Sequence, residues 1–142
     1  MNKYHEIFWK ECEQAKITNI QFKKTYEGRA YYDDRSIIIP HIKTAITLAT
    51  ALHEIGHIVI GDQKPSYYNE FLAEMFVQQK FKEHNIPLKR KILYDQKDYV
   101  AYCVHLSKKK KGPSSNKIRS EVRKFIKEFE NGKKKKNPLE NI

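Results

Sequence analysis

A chain of 142 residues with 39% apolar content is long enough to bury one modest core and too short for two, so a single domain is expected. No stretch approaches the roughly 18 to 20 uncharged apolar residues that a membrane span needs. The N-terminus Met1-Asn2-Lys3-Tyr4-His5-Glu6 also lacks the apolar segment of a signal peptide, so a cytoplasmic protein with no membrane partner is expected. The 28 Lys and Arg against 17 Asp and Glu leave a net charge of +11 and admit a polyanion partner, although eight of those lysines fall in two runs, Lys108 to Lys111 and Lys133 to Lys136, that read as solvated loop or tail.

Tyr4, Ile7, Phe8, Glu11, Cys12 and Ala15 recur at spacings of three and four, which predicts an amphipathic helix over the first fifteen residues. Ile20 and Phe22 alternate with polar residues and predict a short strand. Residues 29 to 32 and 36 to 39 flank Asp33-Asp34-Arg35, the pattern of a hairpin with an Asp-rich turn, and Pro40 ends its second strand. A small antiparallel sheet is expected from these strands.

From Thr44 to Ile60 apolar residues cover more than half of a helical circumference, so this helix is expected to be central and mostly buried, with Gly61 as its stop. A second helix is predicted from Ser66 or Asn69 to about His84, with Phe71, Leu72, Met75 and Phe76 inward and with Asn85 and Pro87 ending it. Residues 88 to 106 predict one or two further helices, with Val100, Cys103 and Val104 inward. Gly112-Pro113-Ser114-Ser115 reads as a linker. A last helix over about 115 to 131, capped by Ser115 or Asn116, carries the stripe Ile118, Val122, Phe125, Ile126 and Phe129. Residues 132 to 142 read as a basic disordered tail. The expected class is therefore α+β, one domain over 1 to 131 with its core at about 20 to 107. Cys12 and Cys103 form no C-x-x-C pair and read as core thiols.

The chemistry concentrates in His53-Glu54-Ile55-Gly56-His57. Two histidines at i and i+4 on a helix share a face, and both imidazoles can meet one zinc ion at about 2.0 to 2.1 Å. Glu54 stands beside them as a general base, next to a metal that lowers the pKa of water toward about 7. A catalytic zinc needs a third protein ligand. Glu70 and Glu74, four apart on the following helix, are the candidates: one can ligate while the other accepts the N–H of a ligating histidine. Peptide hydrolysis also needs a donor for its oxyanion. Tyr67 and Tyr68, just before Glu70, are the nearest in sequence, with Tyr31, Tyr32 and His105 able to contribute by folding back. His5, His41 and His84 read as exposed or capping residues.

His53-Glu54-Ile55-Gly56-His57 followed by Glu70-Phe71-Leu72-Ala73-Glu74-Met75-Phe76 resembles the ImmA/IrrE family of small metallopeptidases. Its pattern is H-E-x-x-H, a downstream Glu, an Ala three later, an acidic or Asn residue next and a Phe two beyond. The resemblance covers about residues 20 to 85 and departs at Leu72, where the family usually has Glu. The Glu-Phe-x-Ala-Glu string is also similar to that of the anthrax lethal factor catalytic domain. What the resemblance implies is a minimal zincin-like domain of the gluzincin kind, with the small sheet packed on the motif helix and a second ligand-bearing helix. It further implies Glu70 as third zinc ligand, Glu74 behind it, and a regulatory protein substrate of a phage or mobile element, often a helix-turn-helix repressor. Zinc-dependent endopeptidase action on a protein or peptide is thus the leading expectation. The alternative is a basic nucleic-acid-binding or interaction module with a weakly active or inactive zinc site, carried by Lys117, Arg119, Arg123, Lys124 and Lys127.

Overall fold

The structure is a computed structural model that describes residues 2–24, 27–111 and 118–127. The described fold is α+β, with five helices and one three-stranded sheet: α1 Lys3–Ala15, β1 Asn19–Phe22, β2 Arg29–Tyr31, β3 Ser36–Ile39, α2 Ala45–Ile60, α3 Ser66–Glu83, α4 Arg90–Lys111 and α5 Ser120–Phe125. The chain divides into two compact units, one of residues 1–63 and 72–88, the other of residues 64–71 and 89–142. The division passes through α3, between Phe71 and Leu72.

In the first unit α1 begins at Asn2, whose side chain accepts the His5 N–H at 2.9 Å, and ends at Lys16 in the left-handed conformation. It buries Phe8, Glu11, Cys12 and Ala15, four members of the expected stripe. The hairpin forms as expected: β2 and β3 pair antiparallel, with Tyr31 opposite Ser36. Arg35, at φ 53°, closes its turn, and the guanidinium reaches back to the Ala15 and Lys16 carbonyls at the end of α1, satisfying acceptors that the helix cannot.

The sheet is mixed, which corrects the antiparallel expectation. Its order is β1-β3-β2, and β1 runs parallel to β3, Asn19 against Ser36 through Phe22 against Ile39. The reason lies in β3. Its Ile37 and Ile39 are fully buried, so it takes the centre and leaves β1 its far edge.

α1, β2 and β3 all pack on α2. A reciprocal capping box sets its start: the Thr44 hydroxyl accepts the Thr47 N–H at 3.2 Å and the Thr47 hydroxyl accepts the Thr44 N–H at 2.9 Å. Gly61, at φ 81°, stops it and donates its N–H to the His57 carbonyl at 3.0 Å. Between these caps every residue from Ala51 to Ile58 is buried. The inward face of α3 within this unit differs from the expected one. Ala73, Glu74, Val77 and Phe81 are buried, while Leu72, Met75 and Phe76 are only half so. The hydrophobic residues that stand out in the sequence are displaced by a face that includes a carboxylate.

Gly56 explains the closeness of α2 to this part of α3: a Cβ there would lie 3.1 to 3.2 Å from Cδ1, Cβ and Cγ of Phe76. Leucine at this position should therefore overpack the contact and lower stability by roughly 1 to 3 kcal/mol. The measurement is a shift of the urea midpoint at unchanged slope; an undisturbed midpoint would refute tight packing here.

In the second unit α4 is a single helix. It absorbs Lys108 to Lys111, read from the sequence as loop or tail, because lysine is a good helix former. Val100 and Val104 are buried, and Cys103 is half-buried. α5 buries Val122, with Ile118 and Ile126 flanking it, as the stripe predicts. The expected linker 112–115, the caps Ser115 and Asn116, Lys117, Phe129 and the tail 132–142 lie outside the described residues.

Candidate metal centre

Three polar side chains of α2 are buried among its apolar neighbours: His53 at 9%, Glu54 at 7% and His57 at 8% relative exposure. Buried groups of this kind need partners, and the geometry supplies them. The Nε2 atoms of His53 and His57 lie 3.0 Å apart, with the two rings nearly perpendicular at 84°. Two imidazole nitrogens on one tetrahedral metal at about 2.0 to 2.1 Å would stand about 3.3 Å apart, so the separation already fits a shared ion to within a few tenths of an ångström.

The other nitrogen of His53 is committed. Its Nδ1–H donates to Glu74 Oε1 at 2.5 Å, which leaves the Nε2 lone pair for a ligand and raises its basicity. Glu74 is itself buried at 9%. One helical turn earlier on the same unbroken α3 stands Glu70. His53, His57 and Glu70 can each offer one ligand atom, all within 4.8 Å of one another. Two nitrogens and a carboxylate oxygen are the donor set of a catalytic zinc with one position left for water, whereas closed structural sites use four protein ligands.

Glu54 packs against Gly28. A Cβ built on Gly28 would lie 2.5 Å from Glu54 Cγ and 2.9 Å from Oε2. The carboxylate therefore rests against bare backbone just before β2. A side chain at position 28 would have to push Glu54 aside.

The tyrosines singled out in the sequence have other engagements within the second unit. Tyr67 is buried at 4% and its hydroxyl oxygen accepts the Arg119 N–H at 3.2 Å. The Tyr68 ring lies under the Arg119 guanidinium at 4.0 Å, and its hydroxyl hydrogen-bonds Glu121. His105, Tyr31 and Tyr32 are exposed. The phenol at the candidate centre is one that sequence reasoning missed: Tyr99 of α4 donates to Glu70 Oε1 at 2.8 Å. Desolvation, with the Glu70 and Cys103 groups beside it, raises that phenol above its ordinary range. Twenty-nine residues separate Tyr99 from Glu70, and no local pattern marks it. Ser66, Glu70, Tyr99, Cys103 and Leu106 line an open cleft in this unit.

Of the remaining histidines, His41 is exposed, while His84 holds the buried Glu11 at 2.7 Å. No protein family, curated protein or solved structure matches the chain.

Proposed function

We propose that the protein is a zinc-dependent metallopeptidase, with His53, His57 and Glu70 holding the metal, Glu74 orienting His53 and Glu54 acting as general base. The observation that carries this reading is the convergence of two buried Nε2 atoms and a carboxylate, with the outer nitrogen of one imidazole tied to a second carboxylate. When bound, the metal would act as a Lewis acid toward the scissile carbonyl and lower the pKa of water. Glu54 would take the proton of the attacking water and deliver it to the departing amine, so that one peptide bond and one water become a carboxylate and an ammonium. Tyr67 and Tyr68 are proposed as oxyanion donors: Tyr67 only accepts from the Arg119 N–H and can still donate its hydroxyl proton, whereas the Tyr68 hydrogen bond to Glu121 would have to break first. The substrate we propose is a protein or peptide, in keeping with the resemblance of the motif segments to the ImmA/IrrE pattern.

Purified protein should carry about one zinc per chain by elemental analysis and should cut members of a quenched fluorescent peptide library, with cleavage lost to 1,10-phenanthroline and restored by zinc. Folded protein that binds no zinc would end this reading. A second property, contact with nucleic acid, draws on the +11 charge and on exposed Arg119, Arg123, Lys124 and Lys127 around buried Val122 and Ile126. DNA binding that falls steeply with salt, and falls further when Arg123, Lys124 and Lys127 become Gln, is the outcome that would support it.

A further inference from the structure

The zinc reading leaves one strongly held contact unused. Glu70 has three side-chain torsions, and the last of them is broad and roughly two-fold, so nothing intrinsic fixes the plane of its carboxylate. A ligand whose plane wanders binds a metal poorly. For this reason ligating carboxylates are themselves hydrogen-bonded by outer partners. Here the partner comes from the next helix. The Tyr99 hydroxyl donates to Glu70 Oε1 at 2.8 Å, and the two residues belong to the same compact unit. Cys103, one turn further along α4, hydrogen-bonds the same hydroxyl, so the phenol is held from its own helix as well.

We propose that Tyr99 is a positioning residue for the metal centre: by donating to one oxygen of Glu70 it fixes the carboxylate in the orientation that ligates. The inference rests on the reading of Glu70 as third ligand. A neutral donor suits this task, because a lysine or arginine in its place would neutralise the carboxylate and compete with the metal for it. The alternative role, packing, is disfavoured by exposure. Tyr99 is 42% accessible, and removing only its hydroxyl takes no apolar surface out of the core.

The test is a zinc titration against a chromophoric chelator on four full-length proteins: wild type, Tyr99→Phe, Glu70→Gln and the double variant. Tyr99→Phe should weaken zinc binding by about 10- to 100-fold, the usual effect of losing an outer partner. Its metal-free melting temperature should stay at the wild-type value, and the visible spectrum of its cobalt-substituted form should shift. Added to Glu70→Gln, the same change should have no further effect on affinity. Wild-type zinc affinity in Tyr99→Phe alongside weakened Glu70→Gln would overturn the positioning role and leave the ligand standing. Unchanged affinity in Glu70→Gln would remove the ligand reading itself. A fall in metal-free melting temperature large enough to account for the whole loss of affinity, with an unshifted cobalt spectrum, would make Tyr99 structural and also overturn the proposal.

Discussion

If the proposed peptidase reading holds, Glu54→Gln should keep the zinc and lose the cleavage. Glutamine has nearly the volume and shape of glutamate, so it fills the same buried space on α2 against Gly28 and leaves His53, His57 and Glu70 undisturbed. Its amide cannot accept a proton from water at neutral pH. General-base catalysis contributes about 10²- to 10⁴-fold to rates of this kind, so kcat/KM for a cleaved peptide should fall by that factor while zinc content stays near one per chain. At 1.36 kcal/mol per tenfold, this amounts to roughly 3 to 5 kcal/mol of transition-state stabilisation. Two outcomes would count against the assignment. Loss of metal would make Glu54 a ligand, and wild-type cleavage would place the base elsewhere.

Glu11→Ala should cause a large loss of stability in the first unit. Glu11 is 3% exposed, and its two oxygens hold Lys80 Nζ at 3.1 Å and His84 Nε2 at 2.7 Å. Removing one member of a buried ionic group leaves the others desolvated and uncompensated, at a cost of about 3 to 5 kcal/mol. For a chain of this size that corresponds to a fall in melting temperature of roughly 10 °C or more. Glu83 provides an internal comparison, because it also pairs with Lys80, at 3.0 Å, from an exposed position. Glu83→Ala should leave the melting temperature nearly unchanged.

The effect also has a sign in pH. Burial works against the Lys80 ammonium, yet hydrogen bonds to Glu83 and Glu11 outweigh it and raise its titration range. The Lys80 contribution is therefore complete at neutral pH and is lost as pH rises through that raised range. Equal melting temperatures for Glu11→Ala and Glu83→Ala would show that the buried ion group contributes nothing special.

What could be read from the sequence was what is written locally. The i, i+4 histidines, the Thr44 and Gly61 ends of α2 and the Asp-rich turn before Ser36 each occupy a few consecutive residues whose conformation their own side chains dictate. What could not be read depends on a partner far along the chain. The parallel pairing of Asn19–Phe22 with Ser36–Ile39 is set by which strand is most apolar on both faces, and alternation within β1 carries no information about its neighbour. The apolar stripe expected on α3 is only half-buried at Leu72, Met75 and Phe76, because Glu74, expected beside the histidines, takes the inward face together with Ala73, Val77 and Phe81. Tyr99 was missed for a related reason, being one of nine tyrosines and meaningful only beside Glu70. Lys108 to Lys111 misled in the other direction: a charge run reads as solvent, and it is also good helix.

The capping box at the start of α2 bears on how the metal and the fold are coupled. Thr44, Thr47 and Gly61 fix both ends of the helix from within the chain, and Leu48, Leu52 and Ile55 anchor its middle in the core, all without recourse to an ion. Zinc-finger modules invert this arrangement, since there ion capture and chain ordering are one event. In this protein the two histidines hang from a scaffold that is already assembled. If the proposed zinc binds there, its removal should cost only the mass-action increment that any ligand confers on the state it binds, and the metal-free protein should stay folded.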